Sequence, residues 1–111
     1  MFRRVRQGAV HIISGNSPLN HENAEYLMNA VTQCFTEGSP RAVFDMQDVP
    51  LIDGAGLEKL LDVHELFESR SGTFKLSGPN ALCRDILNVT GVANKFEIFR
   101  ELKTAVGSFL H

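Results

Sequence analysis

Cysteine is scarce in this 111-residue chain: Cys34 and Cys83 are the two present, far apart and in no CxxC spacing. Both fall on apolar stripes described below, so they read as two reduced, buried thiols and not as a disulfide or redox pair. Long apolar runs are missing as well. Nothing approaches the ~18 to 20 residues of a membrane span, and the start, Met1-Phe2-Arg3-Arg4-Val5-Arg6, lacks the apolar core and cleavage site of a signal peptide. Membrane insertion is excluded on this reading, and a cytoplasmic location is expected. An excess of one charge sign is also absent, with 11 Lys+Arg against 13 Asp+Glu for a net charge of −2. Non-specific nucleic-acid binding needs clustered Lys and Arg to neutralise phosphates. The sole cluster, Arg3, Arg4 and Arg6, reads as a solvated edge strand. His11, His21, His64 and His111 share no ligand spacing, so neither a metal nor a cofactor is expected.

What is present suits one ordinary globular unit: 43% of residues are apolar and 22% charged,. A chain of this length removes ~60 to 70% of its unfolded surface from water, which is enough without staples and leaves no room for a second core. A single domain over residues 1–111 is expected.

Phe2 to Arg6 and Ala9 to Ser14 are short apolar-containing runs around Gln7-Gly8, the pattern of an opening hairpin,. Ala24, Leu27, Met28, Val31 and Phe35, with Cys34 beside them, then occupy one helical face,. Asn20 suits its N-cap, and Gly38-Ser39-Pro40 stops it,. Ala42 to Met46 reads as a strand. From Gly56 a second helix runs through Leu57, Leu60, Leu61 and Leu66-Phe67 to Ser71-Gly72, with His64 on or beside its buried face. Phe74 to Ser77 alternates like a half-buried strand, Pro79 suits a helix N1 position, and Ala81, Leu82, Ile86, Leu87 and Val89 follow,. Phe96-Glu97-Ile98 alternates again. Leu102, Ala105, Val106, Phe109 and Leu110 form a last helical stripe, with Phe99, Phe109 and Leu110 read as core.

Repeated strand-helix alternation means an α/β fold built from βαβ units. Strands buried on both faces read as continuous apolar runs, whereas Lys75 and Glu97 interrupt these. The expectation is a mixed, mostly parallel sheet of four to five strands. About four helices lie mainly on one face, and the other face is partly open to water. Right-handed crossovers between strands taken in order place successive helices on the same side.

The most informative segment runs from Asp45 to Leu57: a strand, a turn, an acidic residue, two glycines and an amphipathic helix. Glycines before a helix suit a phosphate loop, but Gly54-Ala55-Gly56 lacks the third glycine of a dinucleotide fingerprint and the Lys-Ser/Thr end of a P-loop. Asp53 would also repel a phosphate. Asp45, Asp48 and Asp53 are dispersed by turns and strand alternation, so Asp48 and Asp53 read as turn and N-cap residues. No nucleophile elbow, metal pair or Cys/His dyad is present, and the residues do not require an enzyme.

The run Val43 to Leu57 resembles the signature of the STAS family, whose best-known members are bacterial anti-sigma-factor antagonists. Leu19 to Glu25 resembles that family's turn into its first helix, and Ile86 to Val92 the end of its third; the likeness spans about Leu19 to Phe99. It implies a STAS fold and a protein-interaction module in which a turn serine or threonine is phosphorylated by a kinase that is itself the anti-sigma factor. The acceptor position falls on Ala55, and the neighbouring serine on Gly54, so neither residue has a hydroxyl. Asn20 stands where the family has an aspartate. The resemblance therefore implies a partner-binding surface of Asn20, Asp53, Gly54, Ala55, Gly56 and Leu57 without phosphorylation at the usual turn. The implied partner is a kinase-type anti-sigma factor. The alternatives are an accessory role beside the ATPase subunit of a lipid transporter, and a nucleotide-binding domain. A homodimer is compatible with all of them.

Overall fold

Gly8 has a φ of +61°, a left-handed conformation that glycine adopts without a Cβ penalty, and the chain reverses there. β1 (Phe2–Gln7) and β2 (Val10–Gly15) flank it as an antiparallel hairpin, pairing Gln7 with Val10 and Phe2 with Gly15. In this computed structural model, which describes residues 2–35 and 38–110, the chain continues through α1 (Ala24–Thr32), β3 (Arg41–Asp45), α2 (Gly54–Ser69), β4 (Thr73–Ser77) and α3 (Ala81–Val89). A 3₁₀ turn over Val92–Lys95, β5 (Ile98–Phe99), α4 (Leu102–Gly107) and a 3₁₀ turn over Ser108–Leu110 complete it. His111 lies outside the described residues.

The sheet has the order β1-β2-β3-β4-β5, and every pairing after the first is parallel. Ile13, Ala42, Phe44, Phe74 and Leu76 face one side and pack with Leu27 and Val31 of α1, Leu60, Val63 and Phe67 of α2, and Cys83 and Leu87 of α3. Phenylalanine rings run across that layer, Phe2 to Phe44 at 5.6 Å, Phe44 to Phe74 at 6.4 Å and Phe74 to Phe67 at 5.1 Å between centroids. Both thiols are free and buried, and burial pushes Cys34 up to about 11.

The second face, expected to be partly open to water, carries one helix, α4. Val10, Ile12 and Val43 pack there against Ala105 and Val106 of α4, with Leu102, Phe99 and Phe109 around them. Crossover handedness governs only helices between two parallel strands. Among the described residues no strand follows α4, so it is free to cover the opposite side, where three buried apolar side chains would otherwise meet water. Lys75, expected on an open face, is therefore buried at 6% exposure. Its ammonium donates to Ser108 Oγ at 2.7 Å, pairs with Glu97 at 3.4 Å and lies 4.2 Å from the Phe109 ring centroid.

Four smaller expectations change. α3 begins after Asn80, whose Oδ1 accepts from the Cys83 N–H at 2.8 Å, so Pro79 precedes the cap and is not the first helical residue. Leu82 and Val89 are 52% and 87% exposed, because Cys83 and Leu87 point inward instead. β5 is Ile98–Phe99, with Phe96 turned toward Phe74 and His64. Leu110 is 76% exposed and not core. His64 sits half-buried as anticipated, its Nε2 2.9 Å from Glu68.

His11 of β2 makes one stability prediction. Burial, then the nearby Arg4 and Arg6 guanidinium groups, hold its pKa below the ordinary 6.5. The unfolded chain thus binds the proton that the folded chain refuses, and stability falls as pH drops below about 6.5 toward the lowered folded value. Urea midpoints measured from pH 7.5 down to 5 in phosphate-free buffer should decline, and His11→Gln should flatten that part of the profile. An unchanged slope in the variant would contradict the assignment.

Candidate functional site

Two loops leave the carboxyl end of the sheet side by side, one after β2 and one after β3. They are stitched by a single parallel bridge between Leu19 and Ile52. Leu19 N–H donates to Leu51 O at 2.9 Å, and Asp53 N–H donates to Leu19 O at 3.2 Å. Leu19 and Ile52 are 0% and 2% exposed, so the stitch is anchored by two apolar side chains in the core while its polar residues stay outside.

Asn20 and Asp53 each organise one of these loops. The Asn20 Oδ1 accepts from Glu22 N–H at 3.0 Å and Asn23 N–H at 3.1 Å. It thus caps a turn placed just ahead of α1, which itself starts at Ala24, and Asn20 is not that helix's immediate N-cap. Asp53 is the N-cap of α2 as anticipated: its Oδ1 accepts from Gly56 N–H at 2.9 Å, satisfying one of the helix's orphan donors. Its Oδ2 lies 3.4 Å from His21 N–H, so one carboxylate spans both loops. Asp48 sits, as expected, in the turn that Val49 N–H closes on Met46 O at 3.0 Å, and Asp45 supports that turn, its Oδ1 accepting from Gln47 N–H at 3.1 Å.

Gly56 is buried, and a Cβ there would stand 2.9 Å from the Leu19 carbonyl carbon, closer still to its oxygen, and 3.0 Å from Ile52 Cγ2. The absence of a side chain at this position is what lets the first turn of α2 rest on the Leu19 loop. Gly54 is exposed, with open space where a side chain would project, and Ala55 is half-exposed. Leu57 is half-buried against the core. Of the six residues singled out from the sequence, the structure therefore brings Gly54 and Ala55 to the surface, holds Asn20 and Asp53 at its border, and turns Gly56 and Leu57 inward. Leu51, 43% exposed, and the His21 backbone join this surface. Neither carries a periodic signal along the chain.

A phosphate at the start of α2 would meet the Asp53 carboxylate, which already occupies the Gly56 N–H. One donor of this helix end is thus taken by its own cap, whose negative charge also opposes a second anion,. Among the described residues no group of three His, Cys, Asp or Glu could hold a metal ion, and no helix is long and apolar enough to cross a membrane.

A family model described as the STAS domain matches residues 2–105. No curated protein matches the chain. Among solved structures, a candidate anti-sigma factor antagonist of Thermotoga maritima superposes with a TM-score of 0.87 at 21% identity, covering 99% of this chain and 95% of that one. An anti-sigma-factor antagonist domain protein of Planctomyces limnophilus does so with a TM-score of 0.87 at 16% identity, covering 99% and 98%. The murine anion transporter Solute Carrier 26 family member A9 contains the same fold, with a TM-score of 0.79 and 21% identity over 92% of this chain and 18% of the transporter.

Proposed function

The chain belongs to the STAS domain family, and from that premise we propose that it is a non-enzymatic docking module. It engages a kinase-type anti-sigma factor, or a related regulator, through Asn20 and the Asp53–Leu57 turn, and it is not phosphorylated there. The carrying observation is a complete turn without an acceptor: Asp53 caps α2 and ties both loops together, while Gly54 and Ala55 present no hydroxyl. The contact geometry is kept and the covalent switch is missing. A phosphate at this turn would add ~1.5 to 2 negative charges beside the Asp53 carboxylate and repel an acidic contact.

The expected result is a complex with the cognate kinase that forms equally with or without ATP, and no mass increase on this chain. Ala55→Ser should acquire one phosphate and then dissociate, and Ala55→Asp should weaken binding by roughly 100-fold, the ~3 kcal/mol of a like-charge contact. A phosphate on the unsubstituted chain would overturn the missing switch. Failure to bind any kinase-type anti-sigma factor of the same genome would overturn the docking role.

The same fold inside an anion transporter favours a second reading, an accessory unit of a transport machine, in which the same surface meets an ATPase subunit. Co-purification with transporter subunits, in place of a sigma-factor regulator, distinguishes the two.

A further inference from the structure

β1 is an outermost strand of the sheet, paired with β2 on one side and with no strand among the described residues on the other. Alternate residues of an antiparallel strand turn their N–H and C=O groups away from the partner, so β1 offers a row of donors and acceptors that another strand can meet. Such edges are commonly blunted by a bulge, a proline or a very short length. β1 has none of these: its six residues pair one to one with β2 and include no proline. Its one defence is charge, and all of that charge is positive.

Arg4 and Arg6 lie opposite Ile13 and His11, on the face that carries α1, α2 and α3. Arg3, Val5 and Gln7 lie on the other face, where Val5 is opposite Ile12 and α4 packs. None of the ion pairs among the described residues involves Arg3, Arg4 or Arg6. Arg6 Nε donates to Gly8 O at 2.9 Å and Arg4 Nε to Gln33 Oε1 at 3.4 Å, both neutral acceptors. On the α4 face a groove of about 540 Å³ runs beside the strand, lined by Gln7, Leu102, Lys103, Val106, Gly107 and Leu110. Val5, 51% exposed, shares that face. The edge is thus cationic on one face and largely apolar on the other.

A second copy of this chain fits it poorly. An antiparallel β1 added across a two-fold axis keeps like faces together, and the two registers of longest overlap then place Arg4 opposite Arg4 or opposite Arg6. Like charges directly opposite are destabilising. The same charges attract the opposite sign. We propose that β1 accepts an extended acidic segment of a partner protein as an added strand, with its acidic side chains beside Arg4 and Arg6 and its apolar ones in the groove at Val5, Val106 and Leu110. Main-chain bonds supply affinity in such an addition, and alternate side chains supply specificity. The site shares no residue with the Asn20 and Asp53 surface and is independent of the function assigned to it.

The probe is a synthetic peptide alternating glutamate with valine, about as long as β1, titrated into the intact protein and followed by NMR. A peptide with lysine in place of glutamate is the control. Amide resonances of Phe2–Gln7 should shift saturably with the glutamate peptide, and amide exchange should slow at alternate residues of the strand. Arg6→Glu should weaken the glutamate peptide by roughly tenfold and strengthen the lysine peptide, a reversal that loss of structure does not produce. Leu110→Ala should weaken the glutamate peptide by roughly tenfold, the loss of about two buried methylenes. Lys95→Ala, next to β5 at the other edge of the sheet, should leave binding unchanged. Equal binding of the two peptides, or shifts that avoid β1, would overturn the proposal. So would β1 amides already protected in a peptide-free dimer, which assign the edge to a second copy, or retention on phosphatidylserine vesicles without peptide binding, which assigns it to a membrane surface.

Discussion

Gly56→Ala should destabilise the domain by ~3 kcal/mol or more, the upper range for forcing atoms into a filled interior. The new methyl would overlap the Leu19 carbonyl, which is backbone and cannot rotate away. Relief requires moving either the first turn of α2 or the stitched loop, and both are tied by the Leu19–Ile52 bridge and the Asp53 cap. The same methyl at Gly54, two residues earlier, meets nothing within 4 Å. Gly54→Ala should be neutral or stabilising by up to ~1 kcal/mol through helix propensity. Urea denaturation followed by circular dichroism measures both. Equal midpoints for the two variants would show that the close approach at Gly56 does not constrain the fold.

The next largest effect is expected at Lys75. Truncation to alanine removes three buried methylenes at ~0.8 kcal/mol each and a cation–π contact with Phe109 worth ~1 kcal/mol. It also strips Ser108 Oγ of its donor. A loss of roughly 3 kcal/mol follows, and amide exchange should accelerate across Ala105–Leu110 before it does elsewhere, because Lys75 is the polar anchor of that segment. Lys75→Met keeps an unbranched stem of similar length and should lose only about 1 kcal/mol. If alanine and methionine cost the same, the ammonium and not the packed stem carries the contribution.

The two substitutions separate what could be read along the chain from what could not. Gly56 was visible as part of a glycine-containing turn, and the Asp53 cap followed from an acidic residue before an apolar helical period. That Gly56 faces Leu19 depends on a contact across more than thirty residues, which no local pattern encodes. Asn20 is a capping residue, but of the turn ahead of α1 and not of α1 itself, since a side chain that bonds its own loop and one that bonds a helix have the same local sequence. Lys75 departs from its local pattern for the opposite reason. A charged residue between apolar neighbours in a strand ordinarily marks a wet face, and only a helix arriving from the C-terminal end of the described chain, with Ser108 and Phe109 to receive the ammonium, makes its burial tolerable.

Strand-helix alternation and the absence of a hydroxyl at Ala55 were determined by the sequence alone, because each rests on local periodicity or residue identity. The tertiary structure decided which face α4 covers and which of the turn residues reach solvent. Those outcomes depend on the packing of segments distant in the chain, where the energy of a residue is set by neighbours that its own sequence surroundings do not name.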